Sequence, residues 1–109
     1  MKVDANYLAG YTGWALERLK AYARQFKETA EKTLEQPVKA IWAVGGIAGE
    51  GDFDETSDIE LLFELEDMSV EVDDFELQIA IEDIEADVGF IQCYVDNPNP
   101  DERKILIID

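Results

Sequence analysis

Apolar positions along the chain fall into a few blocks, each with its own spacing. Tyr11, Ala15, Leu19, Tyr22, Phe26 and Ala30 follow one another at steps of three or four, and Lys20, Arg24 and Lys27 fall on another face. This spacing predicts a long N-terminal helix from Trp14 to Leu34. Thr12 suits its N-cap, Pro37 stops it, and Trp14, Tyr22 and Phe26 are expected to face the core. Val38 to Val44 is short, β-branched and aromatic, and it is cut off by Gly45-Gly46, which predicts a strand. Residues 47–57 are small and acidic and predict a loop. Asp58 to Leu65 predicts a second strand, with Leu61-Leu62-Phe63 buried on both faces.

Residues 70–86 fit two periods. Leu77, Ala80, Ile81 and Ile84 are spaced for a helix, while Val70, Val72, Phe75, Leu77, Ile79 and Ile81 alternate as in a strand. Asp73 and Asp74 suit a first helical turn, which favours a helix over 73–86. Val88 to Val95 predicts a third strand with Cys93 in the core, Asp96 to Pro100 a loop, and Ile105 to Ile108 a terminal strand. The expected fold class is α/β: a small mixed sheet with helices on one face, plus the N-terminal helix.

Composition narrows what such a fold does. At 109 residues the chain makes one globular unit, divided into a helical segment 1–36 and a sheet-bearing part 37–109. Nine basic residues face 26 acidic ones, a net charge of -17, which argues against direct contact with nucleic-acid phosphate or with anionic membrane. The charge is uneven. No Lys or Arg stands between Lys39 and Arg103, a segment with 20 carboxylates, and a surface this negative calls for cations or a basic protein partner. The chain has no histidine, which removes imidazole acid–base chemistry and Ser–His triads. A single cysteine and the lack of any apolar run near 18 residues lead us to expect a cytoplasmic, membrane-free protein.

Candidate chemistry lies between Val38 and Leu65. A strand ends in Gly45-Gly46, an acidic loop follows, and Ser57-Asp58-Ile59-Glu60-Leu61 opens the next strand. Side chains two apart on a strand share a face, so Asp58 and Glu60 form a carboxylate pair suited to Mg²⁺, which takes oxygen ligands and keeps substrate phosphates in its shell. The glycines allow close backbone approach to phosphate. Asp52, Asp54, Thr56, Asp58 and Glu60 also alternate like a calcium loop, but an EF-hand needs Gly at position six and Glu at twelve, and Ser57 and Phe63 stand there.

This strand–Gly-Gly–loop–Asp-Ile-Glu pattern resembles the nucleotidyltransferase superfamily of the DNA polymerase β type, and its short length resembles the minimal, antitoxin-like members. Gly45 matches the motif glycine, Asp58 and Glu60 the paired metal ligands, and Asp87, just before Val88-Gly89-Phe90-Ile91, the third carboxylate. The resemblance implies a nucleotidyltransferase-like domain over 37–109. It also implies a Mg²⁺-dependent transfer of AMP from ATP to a hydroxyl of a partner protein. Asp58, Glu60 and Asp87 would be the metal-binding and catalytic residues, and Gly45 and Gly46 would hold the nucleotide. Two departures stand out: Gly46 replaces the motif serine, and no basic residue lies near the motif in sequence, leaving Lys20, Arg24 or Arg103 to return through the fold. They point to an alternative, a catalytically inactive acidic module that inhibits a basic protein, as an antitoxin or nucleic-acid mimic does.

Overall fold

The computed structural model describes residues 12–50, 58–84 and 91–109, with side chains in the first stretch from Leu19 onward. Its elements in chain order are helix α1 (Thr12–Leu34), strand β1 (Val38–Val44), a 3₁₀ turn (Gly45–Ala48), β2 (Ile59–Leu65), helix α2 (Asp74–Glu82), β3 (Ile91–Val95) and β4 (Lys104–Ile108).

On α1, Leu19, Ala23, Phe26 and Ala30 are buried while Lys20 and Arg24 are exposed, as the apolar spacing predicts. Tyr22 is half-buried and stacks on Phe26, with ring centroids 5.9 Å apart. The chain turns out of α1 through Glu35, at φ 57°, two residues before Pro37. Glu31 then ties the helix to the sheet: its carboxylate accepts the Val38 N–H at 2.9 Å.

The four strands form one mixed sheet in the order β3-β2-β1-β4. β1 runs antiparallel to β2, with Val44 opposite Glu60 and Trp42 opposite Leu62. β4 runs antiparallel to the other side of β1, with Val44 opposite Lys104. β3 is parallel to β2 and places Gln92 beside Glu60 and Cys93 beside Leu61. A parallel neighbour needs a crossover, and α2 lies within that connection.

Both helices pack on the same face of the sheet. Leu19, Phe26, Leu77 and Ile81 from the helices join Ile41, Ala43, Ile59, Leu61, Phe63, Ile91 and Cys93 in one core. Alternation along the strands turns Trp42, Glu60, Leu62, Glu64, Gln92 and Tyr94 to the opposite face. Leu61, Leu62 and Phe63 are all buried, as expected of a central strand. On that second face the Trp42 indole donates to Glu64 at 3.1 Å, and Lys39 pairs with the same carboxylate at 3.5 Å.

α2 starts where the acidic pair suggests. Asp73 is its N-cap, accepting the N–H groups of Phe75 and Glu76 at 3.0 and 3.3 Å. It is shorter than the expected 73–86, because the chain tightens into an Ile84 N–H to Ile81 carbonyl bond. The outer edge of β3 is sealed by side chains of this helix. Gln78 donates to the Ile91 carbonyl and accepts the Cys93 N–H, both at 2.6 Å, and Asp74 accepts the Val95 N–H at 2.9 Å. Among the described residues no helix is long and apolar enough to cross a membrane.

Candidate functional site

The candidate chemistry gathers at the end of the sheet where β1 stops. Beyond Val44 the chain enters the 3₁₀ turn through Gly45 at φ +74° and leaves it through Gly49 at φ +96°, both in the left-handed region that glycine tolerates. Two bonds close the turn: Gly49 N–H to the Gly46 carbonyl and Glu50 N–H to the Gly45 carbonyl, each 3.0 Å. Buried Ile47 anchors it to the core.

Glu60 stands opposite Val44, and its carboxylate folds over the α-carbon of Gly45, where a methyl group would collide with Oε2. The sheet thus joins Gly45 and Glu60, which are 15 positions apart in sequence. Asp58 lies exposed one residue before β2, in phase with exposed Glu60 on the strand's alternation.

Two cations come to this end of the sheet from the start of β4: Lys104, its first residue, and Arg103, just before it. The Arg103 N–H donates to the Glu50 carboxylate at 2.9 Å, and the Arg103 guanidinium lies against Gly49, where a Cβ would stand 2.9 Å from Nη1. Lys104 pairs with Val44 through the backbone. Its ammonium donates to the Asn99 carbonyl at 3.0 Å and lies 5.7 Å from the centre of the Trp42 ring. Of the three basic residues the sequence nominates, Arg103 arrives. Arg24 lines a groove elsewhere, with Lys27, Glu28, Glu31, Ile108 and Asp109. Ile108 is at the far end of β4 from Lys104, about 13 Å along an extended strand. The signal for Arg103 and Lys104 was their position directly before the last aliphatic strand; what sequence did not offer was that strand's partner.

The third carboxylate stands differently. Asp87 lies outside the described residues. On β3 the position beside Glu60 is Gln92, a neutral amide. Among the described residues no group of three or more acidic, cysteine or histidine side chains is placed to hold a metal ion. Tyr94, two residues further along the same face, has its phenol pushed above the ordinary range by burial first, then by Glu102, Glu60, Asp96 and Asp74. Cys93 is buried in the core, and burial with Glu82 nearby holds its thiol protonated.

The end of the sheet therefore offers two exposed carboxylates, a glycine turn, and an arginine and a lysine. Carboxylates suit a hard divalent cation, and Mg²⁺ is commonly held by one or two carboxylates together with substrate phosphates, so Asp58 and Glu60 fit the ion. Arg103 suits phosphate oxygens, which its planar fork meets in pairs. No family model, no curated protein and no solved structure matches the chain.

Proposed function

We propose that this end of the sheet binds a nucleoside triphosphate with Mg²⁺, and that the protein is nucleotidyltransferase-like: a sheet of that family's kind with a long N-terminal helix added. The reaction would move AMP from ATP to a hydroxyl of a partner protein and release pyrophosphate. The observation that supports this reading is that Arg103 lies against Gly49 and Lys104 pairs with Val44, at the two ends of the turn whose first glycine lies under the Glu60 carboxylate, because nucleotide phosphates call for cations as well as metal-holding carboxylates. Each charge-assisted contact to phosphate contributes about 1.5–3 kcal/mol, so losing one arginine weakens binding by about ten- to a hundredfold.

The roles follow from chemistry. Asp58 and Glu60 would hold Mg²⁺, which when bound offsets phosphate charge and polarises the phosphoryl group. Arg103 would hold the triphosphate against the Gly45–Gly49 turn. Asp87 keeps the role the resemblance gives it, a third ligand or the base for the attacking hydroxyl. Mg²⁺ and α-labelled ATP, incubated with the protein and the proteins of its host, test the transfer. Label is expected on a protein with the native chain and not with Asp58→Ala/Glu60→Ala; equal labelling contradicts the assignment.

One observation favours a second reading. Gln92 beside Glu60 offers no charge to a metal, which suits an inactive acidic module that inhibits a basic protein. A net charge of -17 supports it.

A further inference from the structure

Helix α2 has apolar side chains on two faces. Leu77 and Ile81 are fully buried in the core. Phe75 and Ile79, also one turn apart, are 72% and 45% exposed, and Phe75 is the most exposed large apolar residue among those described. Two apolar side chains stacked on the open face of a helix are what a partner helix packs against.

The surroundings specify the partner. Glu71, Asp73, Asp74, Glu76, Glu82 and Asp83 are all exposed, and the segment from 40 to 102 holds no Lys or Arg. Three of these acids already serve the fold: Asp73 caps the helix, Asp74 holds the Val95 N–H, and Glu82 accepts from Gln78. Glu71, Glu76 and Asp83 remain to meet charge from outside. A second copy bringing the same face would set acid against acid, and a neutral apolar partner would strip water from carboxylates without replacing it.

We propose that the Phe75–Ile79 face of α2 is the docking site for a basic amphipathic helix of another protein, its apolar stripe on Phe75 and Ile79 and its Lys and Arg side chains on the acidic rim. This surface is independent of the Gly45–Glu60 corner.

The test is fluorescence anisotropy with the full chain and a labelled helical peptide carrying leucine at i, i+3, i+4 and i+7 and lysine on the flanks. Saturable binding is expected, weakened about tenfold by Phe75→Ala and by Ile79→Ala. Glu76→Gln/Asp83→Asn should flatten its salt dependence. Both apolar positions are exposed, so an unchanged urea midpoint verifies that the variants fold. Three results overturn the proposal: no saturable binding at millimolar peptide, equal binding of a peptide with serine in place of leucine, or affinity indifferent to Phe75→Ala. Self-association of the native chain that Phe75→Ala abolishes also overturns it, because the occupant is then a second copy.

Discussion

The Glu60 carboxylate lies over the α-carbon of Gly45, across the antiparallel pair that sets Val44 opposite Glu60. Gly45 is needed there for its backbone: at φ +74° a side-chain-bearing residue pays the left-handed strain, about 1–2 kcal/mol. The Glu60 oxygen is the free end of an exposed, flexible side chain and can swing aside. Gly45→Ala should therefore lower stability by about 1–2 kcal/mol in urea denaturation, in the native and in a Glu60→Ala background alike, with a coupling below about 0.5 kcal/mol. A cost that disappears in the Glu60→Ala background would show instead that the collision is what matters.

Gln78 is the only neutral polar side chain in α2, and it bridges two backbone groups on the outer edge of β3. Gln78→Ala leaves the Ile91 carbonyl and the Cys93 N–H without these partners. A cost of about 1–3 kcal/mol is expected, with greater aggregation because the strand edge opens. Gln78→Glu keeps an acceptor for Cys93 but brings a carboxylate oxygen to the Ile91 carbonyl and to Glu82. Its cost should shrink as pH falls and the new carboxyl gains a proton to donate. Urea midpoints across pH measure both.

The buried Cys93 thiol has a folded-state pKa raised above its unfolded value. Above the ordinary thiol range the unfolded chain releases this proton and the folded chain keeps it. Stability is thus unaffected by the thiol at neutral pH and declines as pH rises past about 8.5. Half-buried Tyr94, raised in the same direction, adds to the decline from about pH 10. Cys93→Ala should remove the first part of that decline, and a thiol reagent at neutral pH should label the native chain only as fast as it unfolds.

Local chemistry made most elements legible. β1 lies at Val38–Val44 as read, because Pro37 and Gly45-Gly46 bound it on both sides. The helix after Asp73 was legible through its cap, although its period alone was not decisive. Leu19, Phe26 and Ala30 on α1 and Cys93 on β3 are buried as their spacing implies. The sheet order was not legible, since pairing β4 with β1 joins residues some 60 positions apart and leaves no local mark. That pairing brings Arg103 and Lys104 to a corner that looked purely acidic in sequence. The same holds for Gln78, whose bonds to β3 depend on a side chain reaching a strand edge. Of the candidate site, the placement of Glu60 over Gly45 comes from the β1–β2 pairing, and Gln92 beside Glu60 follows only from the parallel register, neither of which leaves a local mark in sequence.

The proposed site joins Asp58 and Glu60, at the start of β2, with Arg103 and Lys104, at the start of β4, around Mg²⁺ and a nucleotide. Titration calorimetry of the full chain with ATP tests it most directly, with and without Mg²⁺. Saturable, Mg²⁺-dependent heat is expected, lost in Asp58→Asn/Glu60→Gln and weakened at least about tenfold in Arg103→Ala. No heat with Mg²⁺ and millimolar ATP, or equal binding by all three proteins, would contradict it and leave the inactive acidic module as the better description.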